Sequence, residues 1–352
     1  MEPFRIAPKV STETTNIIVR ITADYDMVGW GESSPSQRVT GETAETVVRT
    51  LDRIAPKLIG KCPLRIEEIV EFMDSLAKGN AAAKASIDMA LHDVLGKTAR
   101  KQLFMLMGGY RTEVLTDITL GIKSPKEMAK DATHVVKKGF KALKVKVGIN
   151  PTEDVERIRM IREAVPENVQ LRVDANQGWT TRQAIEVLNK IEKFDIQFVE
   201  QPTAAEDVDG LREVRENSPI PVMADESVHS ASDALRLIQA EAVDFINIKL
   251  MKCGGMLKGE RIAHVAETAG IPCMIGCMAE SEIGIAAGAH LAAAVKNIQF
   301  ADLDCDFLLR DKLVKKGGTR VKNSMRTFPK LHGLGVKEIN DELLGKPLRS
   351  YR

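Results

Sequence analysis

With 352 residues, 44% of them hydrophobic, the chain can bury a substantial core as one large domain or two of ordinary size. Its 50 basic residues nearly balance its 49 acidic ones and only 4% of positions are aromatic, which excludes a basic, base-stacking nucleic-acid surface. No apolar run reaches 18 residues and no basic-then-apolar signal opens the chain, so no membrane partner is expected.

In chain order, residues 1–112 read as an α+β module. Residues 16–21 and 27–32 alternate as two strands around Asp24-Tyr25-Asp26, a hairpin signal. Apolar residues at three- and four-residue spacing then predict helices over 42–58, 66–77 and 81–98, and Gly108-Gly109 closes the run. From Val114 onward strand-like and helix-like segments alternate. The strands are 115–120, 142–147, 170–174, 197–200, 221–224, 245–248, 273–275 and 298–301, with helices such as 125–138, 151–164 and 181–193 between them. Eight such strands predict an α/β fold: a (β/α)8-type barrel over 113–322, with 1–112 as its capping domain. A doubly wound open sheet is the alternative, but no G-x-G-x-x-G follows the first strand and no P-loop is present. Past Leu313 the alternation dissolves into a Lys/Gly-rich link. Gly333-Leu334-Gly335-Val336 reads as a turn, and the tail, 323–352, is expected to return to the capping domain.

Five cysteines, at 62, 253, 273, 277 and 305, form no paired motif, so reduced thiols and a cytoplasmic location are expected. Cys273 and Cys277 read as small side chains near strand ends rather than as a metal pair. None of the six histidines has ligand spacing, and none is assigned to chemistry. A homo-oligomer stays open.

The chemistry centres on the strand at 141–148. Leu143, Val145 and Val147 share one face, so Lys144 and Lys146 point together to the other. Alone, this reads as a half-exposed strand with a solvated lysine face. Yet four later strands end in Asp174, Glu200, Asp225 and Lys249, at steps of 28, 26, 25 and 24 residues from Lys146, each one strand-plus-helix unit. In a barrel those ends converge on the face that carries active sites. Three carboxylates gathered there repel one another unless protonated or metallated, and a ligand set of hard oxygens suits Mg2+. A single acid at a strand end is commonly a helix N-cap; three evenly spaced acids favour the metal. A lysine beside a cation and another ammonium has its charged form disfavoured, which lowers its pKa toward that of a useful base. Lys146 and Lys249 could then approach one carbon from opposite faces. The competing reading of Lys249 is an ion pair with Asp225 or Glu226.

The order Lys144-x-Lys146, Asp174-Ala175-Asn176, Glu200-Gln201-Pro202, Asp225-Glu226-Ser227 and Ile248-Lys249-Leu250-Met251-Lys252-x-Gly254-Gly255 resembles the muconate-lactonising subgroup of the enolase superfamily. The resemblance runs from Gly29-Trp30-Gly31-Glu32 to Gly333-Leu334-Gly335. Within the subgroup the chain is most similar to dipeptide epimerases, whose Asp-x-Asp at the eighth strand end is matched by Asp302-Leu303-Asp304. The resemblance implies one Mg2+ on Asp174, Glu200 and Asp225, with Asn176 and Glu226 behind them. It implies that Lys144 assists electrostatically while Lys146 and Lys249 exchange a proton, one per face of an ene-diolate. Asp302 and Asp304 would receive a dipeptide's ammonium, and the segment 276–281, with Met278 and Glu280, would meet the dipeptide largely through backbone groups.

Residues 4–9 resemble the first of the cap loops that close over the mouth, and 35–40 is a second candidate. Lys9 stands where some relatives acting on Ala-Glu have an arginine; a lysine attracts a carboxylate without bidentate geometry, or is simply an exposed charge. Asp306 reads as structural or as a partner of the site residues. Relatives carry a longer leading strand than Met1-Glu2-Pro3-Phe4 allows, so either the cap sheet lacks an edge strand or the true start lies upstream. The implied function is a Mg2+-dependent dipeptide epimerase inverting the α-carbon of the C-terminal residue by 1,1-proton transfer. The alternatives are a muconate cycloisomerase or o-succinylbenzoate synthase on the same scaffold, and a non-catalytic binding protein.

Overall fold

A computed structural model describes residues 13–351 and, ahead of them, the backbone of 4–6 and 9–11. These two segments are β1 (Phe4–Ile6) and β2 (Lys9–Ser11), paired antiparallel. Lys9 opens β2, and its side chain lies outside the described residues.

The expected hairpin is β3 (Ile17–Ala23) and β4 (Met27–Ser33), with Ile17 opposite Ser33. Three helices follow: α1 (Ala44–Ile54), α2 (Ile66–Leu76) and α3 (Ala81–Thr98). The first starts later than expected because Thr43 caps it, accepting from Thr46 N. Glu42 instead accepts from Ala82 N at 2.8 Å and Ala83 N at 3.1 Å, at the start of α3. Ile54, Ile69, Val70, Met73, Ile87 and Leu91 pack between the helices. β4 lies against α3 so closely that a Cβ on Gly31 would come 1.8 Å from Ser86 O, and only glycine permits that approach.

The remaining chain opens with β5 (Glu113–Leu115) and β6 (Ile118–Leu120). It continues through α4 (Pro125–Lys137), β7 (Ala142–Lys146), α5 (Pro151–Ala164), β8 (Gln170–Asp174), α6 (Thr181–Ile191) and β9 (Ile196–Glu200). Next come α7 (Val208–Asn217), β10 (Val222–Ala224), α8 (Ala231–Gln239), β11 (Phe245–Lys249), α9 (Leu250–Cys253) and α10 (Met256–Thr268). The series ends with β12 (Cys273–Gly276), α11 (Glu282–Ala294), β13 (Ile298–Asp302) and a single turn, α12 (Cys305–Leu308). Strands β6 to β13 pair in chain order as an eight-stranded parallel sheet. The seam between β13 and β6 is closed by Asp117 N donating to Ala301 O (3.3 Å), Leu303 N to Thr116 Oγ1 (2.9 Å) and Thr119 N to Asp304 Oδ2 (2.6 Å).

The expected first strand, 115–120, is therefore two. Thr116 and Asp117 are taken up by the seam, and β5 turns out of the barrel to pair elsewhere. Its partner lies in the tail, which is not patternless: β14 (Val314–Gly317), β15 (Arg320–Lys322), β16 (Met325–Thr327), β17 (Val336–Ile339) and α13 (Asp341–Leu344) follow. β14 pairs with β17, while β15, β16 and β5 form a three-stranded sheet. The turn at 333–336 meets the cap, with Leu334 N donating to the Asp93 carboxylate of α3 at 2.8 Å.

Side chains alternate along a strand, and rings from the non-adjacent β9, β11 and β13 can meet only across the barrel interior. Phe198, Phe245 and Phe300 do so at 5.5–5.6 Å between centroids, with Met223 and Met274 beside them. This plug fills the amino-terminal end. Above it the Arg172 guanidinium lies 5.4 and 5.3 Å from the Phe198 and Phe300 rings and donates to Asp117 at 2.8 Å.

Candidate active site

Two residues further along each strand the interior turns polar, because the period of two that aims Phe198, Met223, Phe245 and Phe300 inward also aims Glu200, Asp225, Asn247 and Asp302 inward. Asp174 and Glu200 are direct register partners on β8 and β9. Lys144, Lys146, Asp174, Glu200, Asp225 and Lys249 are all buried.

One ion-pair network joins them. Asp174 Oδ2 lies 2.5 Å from Lys146 Nζ and 3.0 Å from Lys144 Nζ, and its Oδ1 accepts from Asn176 N at 2.9 Å. Glu200 Oε1 accepts from Lys144 and from Asn247 Nδ2, each at 2.9 Å. Asp225 Oδ2 accepts from Lys249 at 2.7 Å and Oδ1 from Lys252 at 2.5 Å, and Lys252 also donates to the Asp225 carbonyl. Gln201 ties the last two acids together: it follows Glu200 and accepts from Asp225 N at 2.9 Å. Asn176, Gln177 and Gln201 all take positive φ, so backbone strain gathers at these strand ends.

Burial raises the Asp174 and Asp225 carboxyls, but the surrounding ammonium groups outweigh it and hold both below the usual range. Glu200 goes the other way, pushed up to about 8 by burial and by Asp174. Burial also raises Glu226, with Asp225 and Asp174 adding to it. The depressed lysine expected from the sequence is not met by the protein groups alone. Burial lowers Lys249, yet Asp225 together with Glu200 and Glu226 outweighs it and the net shift is upward; Lys144 rises likewise under Asp174, Asp302 and Glu200. Lys249 is thus paired with Asp225, as the competing reading had it, while also lining the shared interior.

The donor set fits a hard divalent cation. Asp174, Glu200 and Asp225 offer only oxygen, Glu200 Oε2 faces the Lys144 ammonium at 2.8 Å, and behind these acids Glu226 Oε2 and Asn176 Oδ1 are buried without a hydrogen-bond donor. These acids are not contracted around a point. Among the described residues the group with ligand atoms all within 4.8 Å of one another is Cys277, Asp302 and Asp304. The physical reason is that Lys144, Lys146, Lys249 and Lys252 each draw a carboxylate oxygen toward themselves.

Asp302 and Asp304 come together at the seam. Asp302 Oδ2 is 2.6 Å from Lys144, and Thr119 reaches both acids, at 3.4 Å to Asp302 and 2.6 Å to Asp304. Burial and Asp302 push Asp304 up to about 6, whereas Lys144 and its fellow ammoniums, acting against burial, hold Asp302 low. Asp306 is structural: its carboxylate pairs with the buried Arg326 at 2.8 Å. Cys277 is partly buried and Cys273 buried, and all five cysteines are free.

The segment after β12 is held by the cap. Glu32 accepts from Ser281 N (2.8 Å), Ser281 Oγ (2.7 Å), Gly284 N (2.8 Å) and Asn16 Nδ2 (2.7 Å), and Asn16 also donates to Ala279 O (2.7 Å). Within the segment Met278 N donates to Glu280 Oε1 at 3.0 Å, and burial pushes Glu280 up to about 8. The cap loop 35–40 reaches the mouth as well: Arg38 donates to Asn176 O at 2.8 Å, and His229 Nε2 lies 3.1 Å from Val39 O. Asn247, Lys252, Gln201, Thr119 and Glu32 were not picked out from the sequence as site residues. Asn247 could have been, since it sits two residues before Lys249 on the same face.

Comparison with known proteins fits this arrangement. The family described as mandelate racemase / muconate lactonizing enzyme, N-terminal domain, matches residues 1–108, and the enolase C-terminal domain-like family matches 127–342. The chain belongs to the mandelate racemase / muconate lactonizing enzyme family. Among its relatives in that family are the hydrophobic dipeptide epimerase of Enterococcus faecalis, 44% identical over 95% of each chain, and the L-Ala-D/L-Glu epimerase of Clostridium acetobutylicum, 41% identical over 97% of this chain and 96% of the other. A solved member of the family, the dipeptide epimerase of Enterococcus faecalis complexed with Mg and L-Leu-L-Tyr, superposes with a TM-score of 0.94 at 44% identity, covering 96% of both chains.

Proposed function

We propose that this protein is a Mg2+-dependent dipeptide epimerase, an isomerase that inverts the α-carbon of a dipeptide's C-terminal residue by 1,1-proton transfer. The observation that carries the reading is the placement of charge around the barrel. β7, with Lys146, and β11, with Lys249, are four strands apart in a ring of eight, on opposite walls. The acid-bearing β8, β9 and β10 fill one arc between them, and β13, with Asp302, lies opposite, two strands from each lysine wall. A dipeptide lying across the mouth, its carboxylate toward the first arc and its ammonium on Asp302 and Asp304, presents its reacting carbon to both lysines. Relatives that are dipeptide epimerases, one solved with Mg and a dipeptide, support the reading.

Asp174, Glu200 and Asp225 would hold Mg2+. When bound, it supplies positive charge for the carboxylate whose neighbouring α-proton is leaving. Lys146 or Lys249, as a neutral amine, removes that proton, and the other, as an ammonium, returns one from the opposite wall, which inverts the centre. Lys144, kept charged by its three carboxylate neighbours, faces the growing negative charge. A positioned base alone contributes ~10²- to 10⁴-fold, whereas enzymes commonly reach ~10⁶ or more, so fixed charges in a buried site must supply the remainder. Cycloisomerase and o-succinylbenzoate synthase chemistry would leave Asp302 and Asp304 without an ammonium to bind. The five free cysteines support placing the enzyme in the cytoplasm.

The test is a screen of L,L-dipeptide mixtures in D2O with Mg2+, read by mass shift. One deuteron gained with inversion is expected; ring closure, dehydration or no exchange with any dipeptide would overturn the reading.

A further inference from the structure

We propose that the buried Asp154–Arg157 pair on α5 is a positioning clamp for Lys146, aligning one of the two proton-exchanging lysines and leaving the other untouched. The proposal rests on the reading of Lys146 and Lys249 as that pair. Asp154 is fully buried and Arg157 is 4% exposed. Asp154 Oδ2 accepts from Gly148 N at 3.0 Å and from Trp179 Nε1 at 3.1 Å, while its Oδ1 accepts from Arg157 Nη1 at 2.7 Å. Arg157 Nε donates in turn to Lys123 O at 2.9 Å. Two side chains on one helix thus hold the loops that follow β6, β7 and β8.

Gly148 lies two residues beyond Lys146, and Trp179 lies in the loop that follows Asp174, the carboxylate 2.5 Å from the Lys146 ammonium. The two loops stack backbone on backbone. Gly148 has a φ of +98°, and a Cβ there would meet Ala175 O at 2.3 Å. Asp154 is not needed to cap its own helix, because Asn150 already accepts from Thr152 N and Glu153 N. A buried ion pair is a poor device for stability, since apolar side chains of similar volume serve as well or better. What it adds is direction, and that direction is spent on the ends of β6, β7 and β8, the wall that carries Lys146. None of these bonds reaches β11.

The test compares the two faces in the Mg2+-loaded full-length protein. Initial α-proton exchange in D2O is followed by NMR, starting separately from each epimer of one active dipeptide. Lys146→Ala identifies the epimer whose proton Lys146 removes. Asp154→Ala is expected to slow exchange from that epimer by about 10- to 100-fold and leave exchange from the other near the wild-type rate. Trp179→Phe, which removes the indole N–H bond to Asp154 and trims a buried ring while keeping Asp154 itself, should skew the two rates in the same sense by a smaller factor, and it carries the test if Asp154→Ala does not fold. Equal slowing from both epimers, as general loosening would give, overturns the clamp, and so does an unchanged rate ratio. A wild-type protein that exchanges neither epimer overturns the underlying reading instead, and the clamp with it.

Discussion

Lys249→Ala should abolish epimerisation in both directions while α-proton exchange persists from the one epimer that Lys146 serves, because inversion needs both walls and exchange needs one. NMR in D2O separates the two rates, and unchanged epimerisation would remove Lys249 from the mechanism. Asp304 makes a pH prediction. Its carboxyl is raised to about 6 by burial and Asp302, and only the anion attracts an ammonium. KM for a dipeptide should therefore be flat above pH 7 and climb by up to about tenfold per pH unit below 6. Asp304→Asn should flatten that slope and raise KM by about 30-fold, equivalent to the ~2 kcal/mol of one charge-assisted bond. At this scale the sequence was most legible where charge sits at a strand end: Asp174, Glu200, Asp225 and Lys249 all line the shared interior. Lys252 and Gln201 were harder to read because each reaches Asp225 from beyond the end of another strand, Lys252 from α9 after β11 and Gln201 from the loop after β9, and no periodicity marks that.

Among the elements, cap acids bond the starts of barrel helices. Glu32 takes three donors at the start of α11 and a fourth from Asn16 of the cap, and Asp88 of α3 accepts from Met256 N at the start of α10. Burial raises the Glu32 carboxyl, and those four donors work against it. Glu32→Ala would strand backbone N–H groups in the interior, so a loss of about 2–4 kcal/mol is expected. Urea unfolding checks it, and a midpoint within error of wild type would show that water replaces the carboxylate. Strands and helices were legible in proportion to their burial. Seven of the eight barrel strands read as short apolar or alternating segments with an ionisable or turn-forming end. The run 115–120 misled because its apolar residues flank Thr116 and Asp117, whose partners, Leu303 and Arg172, are far away in sequence. The tail strands were invisible for a related reason: they are three or four residues long, β14 and β15 carry exposed lysines, and β16 is held between β15 and β5.

Across the whole molecule, the acids Asp174, Glu200, Asp225 and Asp302 are already ion-paired inside the barrel without a metal, by Lys144, Lys146, Lys249 and Lys252. Stripping Mg2+ with EDTA should therefore abolish turnover while far-UV circular dichroism stays unchanged. Returning Mg2+ at 100 times its Kd should restore activity and add about 2.7 kcal/mol of stability. Collapse of the fold on chelation would mean that the lysines do not hold the acids apart on their own.

Arg326, on β16, is fully buried and donates to Leu303 O as well as to Asp306. The strand end bearing Asp302 and Asp304 is thus braced by a residue made late. Domains fold as units while the ribosome delivers them from the N-terminus, so a nascent chain stopped short of Arg326 holds seven finished βα units and a loose eighth edge. Such a chain would be chaperone clientele, and dipeptide could not rescue it, because its foothold is the last part of the wall to set.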